Sequence, residues 1–314
     1  IPRSSVEDIC NLIISDLNEA TNINTYRGTN EPGSKASTTA AKTMLGKVYL
    51  WKHDFANAET ALADAHNSGK QLEELSVLYG PDTPFNKEII FSINYERTDG
   101  FSSPFVSSLI PYNAPAGTIY PNVPGRVGIG YGMIEPYVVS KFSANDRRRG
   151  LIDTLTFENL GILDVNIYSR KYVDVLTTFN GLSGSNTIIL RYADVLLMYA
   201  EALNENGKTA QAYPYINMVR NRAGIGNLPQ GYTKAQLFQA LADERQKEFL
   251  LEGDRWFDLC YRGIDFLKNE MNHYIPNAYL EQNRIIQVKD NLVLFPIPES
   301  QIQVKPILTQ NPGY

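Results

Sequence analysis

Twelve residues separate Gly46 from Ala58, and twelve separate Ala200 from Ala212. The first stretch reads Leu45-Gly46-x-x-Tyr49 and continues through Ala58, Leu62 and Ala65; the second sets Ala200, Leu203, Ala212, Ile216 and Val219 at matching intervals. Small residues at this spacing let two consecutive helices approach closely, as in a tetratricopeptide unit. The spacing therefore predicts equivalent helix hairpins over 36–68 and 190–222. Such a unit buries its apolar face only against neighbours, and about three units are needed for a stable stack. Segments 4–20 and 233–261 are the candidates to complete it. In the first, Ser4 and Ser5 are cap candidates ahead of Val6, Ile9, Ile13 and Leu17 at helical spacing. The fold class is mostly α: tetratricopeptide-like helix pairs with long loops and small β-hairpins. No linker, low-complexity tract or composition break divides residues 1–314, so one domain is expected, with a loop-rich insertion over about 86–189.

Residues 243–259, DERQKEFLLEGDRWFDL, concentrate charge and apolar bulk. Glu244, Glu248 and Glu252 recur every fourth residue and share a helical face. Arg245 and Arg255 precede Glu248 and Asp258 by three, a spacing that predicts pairing along the helix. Leu241, Phe249, Leu250, Trp256, Phe257 and Leu259 are its expected apolar side. Gly253 is costly inside a helix, by roughly 1 kcal/mol. Either another backbone packs against it, or the helix breaks there and Asp254 caps a second one.

The insertion changes character along its length. Ile89, Phe91, Ile93 and Tyr95 alternate with more polar neighbours, a strand pattern. Phe101–Tyr131 holds five aromatics, five prolines and one charge, Arg126. A long segment of this kind is either functional or disordered; its prolines stiffen the backbone and its aromatics give it something to bury, which favours an ordered functional loop. In 138–150 Asp146 precedes three arginines, and a short charge run of this kind reads as a helix end with surface or structural ion pairs in preference to an anion-binding site. Residues 162–175 read as one or two strands and 177–186 as a second uncharged loop. Near the end, 284–288 and 292–297 flank a Lys-Asp-Asn turn and predict a hairpin.

Several chemistries find no support. The net charge of −5 argues against nucleic-acid binding. No run of 18 apolar residues exists to span a bilayer. Cys10 and Cys260, the two cysteines, lie in helical patterns and read as buried free thiols. Glu7 and Asp8 precede Cys10 where an apolar signal core would lie, so it is no lipid-attachment site. His53, His66 and His273 have no ligands at metal-binding spacing, so no metal is expected. Gly128, Gly130 and Gly132 alternate, but a dinucleotide fingerprint would need glycine at Met133; they read as loop-shaping residues, and no cofactor is expected. A glycosidase needs two carboxylates across a cleft, and 101–134 has neither Asp nor Glu. No catalytic residue is assigned. Aromatic faces with amide and guanidinium donors suit neutral sugar rings. The candidate ligand-binding residues are Tyr112, Tyr120 and Tyr131 as stacking platforms, with Asn113, Asn122 and Arg126 as hydrogen-bonding partners.

ERQKEFLLEGDRWFDL in the charged stretch, LRYADVLLMYAEALNENG (190–207), YINMVRNRAGI (215–225), EIIFSINYE (88–96) and LFPIPESQIQVKPILTQNPGY (294–314) together resemble the SusD/RagB family of Bacteroidetes nutrient-binding lipoproteins, in the same order. Asp254 stands where the family often has His. The resemblance implies a non-enzymatic, cell-surface protein on the outer membrane. Such a protein binds oligosaccharides, or peptides in some members, and passes them to a SusC-like TonB-dependent transporter. Members begin with a signal peptide, a lipidated cysteine and further helices; none precedes Ile1, so an amino-terminally truncated member is expected, with the membrane reached only through an anchor this chain lacks. The alternatives from other classes are a tetratricopeptide-type adaptor for a protein partner and, after it, a glycoside hydrolase.

Overall fold

The computed structural model describes residues 3–22, 33, 35–83, 85–98, 100–103, 105–159, 161–178, 182–274 and 288–314. Along the chain run α1 (Val6–Ala20), α2 (Thr38–Trp51), α3 (Phe55–His66), α4 (Leu75–Leu78), β1 (Ile89–Ile93), α5 (Val106–Leu109), α6 (Pro136–Ser140), β2 (Ile152–Asn159), β3 (Ile162–Ser169), β4 (Thr187–Arg191), α7 (Tyr192–Glu205), α8 (Thr209–Arg222), α9 (Lys234–Glu248), α10 (Arg255–Tyr261), α11 (Ile264–Tyr274) and α12 (Glu299–Val304). Short 3-10 turns occupy Arg147–Leu151 and Asp290–Val293.

Helix starts follow local chemistry. Ser5, Ser37, Asp54 and Thr233 each accept a hydrogen bond from a first-turn amide of α1, α2, α3 and α9, satisfying donors that the helix itself leaves unpaired. The two expected hairpins are α2 with α3 and α7 with α8, and α7 also packs on α3 and α9, which extends the stack. Ala200, Ala212, Ile216 and Val219 are fully buried in the central core together with Leu196, Leu237 and Leu241. Gly46 serves the same purpose in the first hairpin, since a Cβ there would overlap the Leu62 side chain of α3. Gly46→Val is therefore expected to cost about 1–3 kcal/mol through overpacking, read as a lowered midpoint in urea; an unchanged midpoint would mean that the helices are not held at this contact.

β1 and β4 pair antiparallel, Ile89 opposite Arg191 and Ile93 opposite Thr187, so the two ends of the insertion meet on the core. β4 runs directly into α7. β2 and β3 form a regular hairpin, from Ile152 opposite Ser169 to Asn159 opposite Ile162. Behind it, buried Asp174 accepts two bonds from the Arg97 guanidinium at 2.8 and 2.9 Å and one from the Gly184 amide at 2.8 Å, which clips three stretches of the insertion together.

Several expectations are corrected. Residues 292–297 do not form a strand: they continue from a 3-10 turn into extended chain whose backbone is held by amide side chains. The Gln310 side chain bonds both the Ile297 N–H and its carbonyl, and Asn311 donates to the Phe295 carbonyl. The partner stretch 284–287 lies outside the described residues. α1 packs on α2 as a stacking helix should, yet among the described residues Val6, Ile9, Leu12 and Ile13 of its apolar side stay exposed. Cys10 and Cys260 are free but only half-buried. Trp256 is half-buried against Phe295, ring centres 5.9 Å apart, and Phe257 is exposed; Leu241, Phe249 and Leu259 carry the buried side instead.

Candidate functional site

The charged stretch is the base on which the insertion stands. α9 ends at Glu248, and Leu251 and Gly253 take positive φ of 60° and 85° before α10 begins after Asp254. A Cβ at Gly253 would meet nothing, so the glycine is there for its backbone conformation rather than for close packing. Asp254 precedes α10 without capping it through its side chain; Lys47, at 2.6 Å, and Arg245 take its carboxylate.

Glu244, Glu248 and Glu252 do share one side of the chain, but their partners come from elsewhere. Glu248 bonds Arg191 at 2.6 Å, Arg148 at 3.1 Å and Arg222, all buried. Glu244 takes Arg148 at 2.7 Å, and Glu252 takes Lys171 at 2.6 Å and Arg191 at 2.8 Å. Glu88, at the start of β1, bonds Arg191 at 2.9 Å and Arg222 at 2.5 Å. Arg245 does not pair with Glu248; it turns to Asp254 and Asp258. In the 138–150 charge run the ion pair is of the structural kind, because Arg148 and Asp146 are both 3% exposed and bonded to each other. Burial by itself would raise the Glu248 carboxyl, but Arg222, Arg191 and Arg148 outweigh it and hold the group well below its ordinary value of 4.5. Carboxylates saturated in this way are structural ties.

The loop Phe101–Tyr131 is ordered around a second core. Val106, Ile110, Ala114, Ile119, Val123 and Val127 pack with Phe157 of β2 and Tyr168 of β3. Ala114 and Val127 exchange backbone bonds at 2.7 and 3.0 Å. The alternating glycines shape this loop: a side chain at Gly128 would strike the Pro111 carbonyl, and one at Gly132 would sit 2.8 Å from Leu109 Cα. The six candidates separate on this scaffold. Tyr131 is 81% and Tyr112 56% exposed, and a Cβ added at Gly130 would come within 2.9 Å of Tyr112 Cβ, so glycine lets the chain just before Tyr131 pass close to Tyr112. Asn113 adopts φ 55°, and its carbonyl accepts from exposed Arg126 at 3.0 Å. Exposed Asn122 reaches the Val175 carbonyl at 3.4 Å. Tyr120 is the exception: at 3% exposure it sits inside the loop's core and offers no ring face to a ligand, so it anchors the loop.

Two sets of residues escaped the sequence reading. Phe101 and Phe105, in the same loop as the tyrosines, are 69% and 55% exposed. Phe105 directly precedes α5, whose Val106 turns inward, and the aromatic-then-aliphatic alternation there was the available signal. A cleft of about 500 Å³ between 74–81, 147–151 and 170–173 brings together residues that nothing in the sequence connects.

The architecture defines a class: stacked helical pairs carrying an ordered, loop-built insertion with exposed aromatics. The SusD family model matches residues 163–314, just under half of the chain. The chain is 29% identical to SusD-like protein P2 of Formosa agariphila over 317 residues, which takes in 88% of this chain and 60% of that one. With SusD-like protein P25 of the same organism it shares 27% identity across 99% of this chain and 66% of the relative. The chain thus spans about 60–66% of the length of these relatives. Among solved structures, NanU of B. fragilis superposes with a TM-score of 0.80 at 23% identity, covering 100% of this chain and 71% of NanU. Surface glycan-binding protein A from Bacteroides thetaiotaomicron, solved with laminarihexaose, superposes at 0.75 and 19% identity, covering 99% and 72%. These likenesses show the fold.

Proposed function

We propose that this chain is the ligand-binding part of a cell-surface glycan-binding protein. The observation that carries the reading is the pair of exposed tyrosines, Tyr112 and Tyr131, held on a glycine-shaped loop that needs no ordering when a sugar arrives. Flat ring faces match the apolar faces of pyranoses, while Asn122 and the free edge of Arg126 supply hydrogen bonds to hydroxyls. The laminarihexaose complex of a protein sharing the fold supports an oligosaccharide over a peptide. The match to the SusD family model and the SusD-like relatives supports a place on the outer face of the outer membrane and delivery of the ligand to a SusC-like transporter. It equally supports binding without hydrolysis.

Tyr112→Ala and Tyr131→Ala are each expected to weaken binding of whichever oligosaccharide the parent takes by about 1–2 kcal/mol. Their melting temperatures should match the parent, whereas Tyr120→Ala should melt earlier. Calorimetric titration beside thermal melts decides it; normal binding by both exposed-tyrosine variants would move the site off this loop. A reducing-sugar assay on the bound oligosaccharide should stay flat.

A further inference from the structure

We propose that the cleft between 74–81, the 147–151 turn and 170–173 binds the acid group of a charged saccharide, a uronate carboxylate or a sulfate ester, with Arg147 and Arg170 as the gripping cations. The inference rests on the glycan-binding reading and names a second site and a ligand class for it.

The run of three arginines is divided by the fold. Arg148 turns inward and is locked by Asp146, Glu244 and Glu248. That lock fixes the turn and leaves Arg147 pointing out. Among the described residues no carboxylate or carbonyl takes the Arg147 side chain, although the chain as a whole carries a net charge of −5 and has paired most of its other arginines. Arg147 is nonetheless positioned. Its amide donates to the Ala223 carbonyl at 2.9 Å, and its stem lies over Gly224, where a Cβ would come within 3.2–3.4 Å of Nε, Cγ and Cδ. Gly224 has φ 77°, so a side chain there is disfavoured twice, by backbone and by space. Arg170 is fastened beside the same turn by its amide, 2.8 Å from the Leu151 carbonyl, and its guanidinium only grazes exposed Asp153 at 4.0 Å.

The remaining walls fit a sugar rather than a bare ion. Leu75, Pro81 and Val173 provide apolar surface, and Val173 also packs on the core of the aromatic loop. About 500 Å³ lies within the range of small-ligand sites. Gly150 leaves the mouth open, since a Cβ there would touch nothing. Arg222 also lines the cleft, but its charge is answered by Glu88 and Glu248, and Glu74 stands opposite. The balance favours one localised anion, not an extended polyanion, which the acidic remainder of the chain would repel. Guanidinium groups bind carboxylate and sulfate oxygens through paired N–H donors, and two arginines converging on one anion give that grip twice.

The test is calorimetric titration of the full chain with three probes: tetragalacturonate, a sulfated oligosaccharide of similar length and neutral laminarihexaose. The parent, Arg147→Gln, Arg170→Gln and Tyr112→Ala are compared at low and high salt. The parent is expected to prefer at least one charged probe over the neutral one, with the preference reduced by salt. Either arginine substitution should weaken that probe by about tenfold or more while leaving the melting temperature unchanged. The uronate and sulfate arms report which acid is taken. If the charged probes bind no better than laminarihexaose, or if both arginine variants bind them like the parent, the cleft assignment is overturned while a Tyr112-dependent neutral signal keeps the glycan reading. If the parent binds no saccharide at all, the glycan reading falls and takes this inference with it.

Discussion

Glu248→Ala is expected to destabilise the fold by about 3–5 kcal/mol, the cost of removing one member of a buried ionic cluster. The carboxylate is the shared partner of Arg148, Arg191 and Arg222, which reach it from the 147–151 turn, the end of β4 and the end of α8. Without it three buried guanidinium groups keep only part of their countercharge, because Glu88, Glu244 and Glu252 are already committed. The attraction among these groups is set against their desolvation, so the intact cluster adds little net stability while a broken one is costly. Urea unfolding of the variant against the parent measures the effect. Lys42→Ala, which removes an ion pair to the half-exposed Asp64, serves as the comparison and should move the midpoint far less. A Glu248→Ala midpoint equal to that of Lys42→Ala would show that the cluster is not what joins insertion to repeats.

Stability should pass through a maximum on the acid side of neutrality and then fall steeply. Glu248 and Glu252 are held below their ordinary value of 4.5, and Asp254 and Asp258 below 3.8; burial pushes each upward, and the neighbouring arginines and lysines more than reverse it. Below those ordinary values the unfolded chain takes up protons that the folded chain refuses, so stability present above them is lost as the pH falls through the depressed folded values. Asp194 has the opposite sign. Burial raises it to about 6 against the pull of Arg191, so the folded chain binds its proton more readily than the unfolded one. The stability it withholds at pH 7 is recovered as the pH falls through about 6, and recovery is complete below 3.8. From pH 7 to 5 the protonation of Asp194 should raise the unfolding free energy by about 1–1.5 kcal/mol, and between pH 5 and 3 the loss at the four depressed carboxylates should lower it by more than that. Asp194→Asn should flatten the upper branch and leave the acid branch intact. A parent curve that declines steadily from pH 7 would contradict the burial-dominated account of Asp194.

What the amino-acid order determined by itself was local and periodic. The twelve-residue spacing placed both helix hairpins, because the missing side chain at Gly46 and the small ones at Ala58, Ala200 and Ala212 act across a single turn between consecutive helices. Ser5, Ser37 and Thr233 set helix starts through bonds to amides three residues on. Gly128, Gly130 and Gly132 marked a shaped loop, since backbone geometry shows directly in residue type. The tertiary structure decided which side of a non-periodic segment faces in. Tyr112, Tyr120 and Tyr131 are chemically alike in the sequence, and only the packing of Val106, Ile110 and Phe157 makes Tyr120 an anchor and leaves the others exposed. It also decided the ion pairs. Arg245 has Glu248 three residues away yet bonds Asp258, while Glu248 draws Arg148 from 100 residues away and Arg191 from 57. Charge attraction carries no sequence-distance rule: once burial strips away water, each carboxylate takes whichever guanidinium the packed backbone delivers, and Arg147 is left facing solvent because none of the described carboxylates is delivered to it.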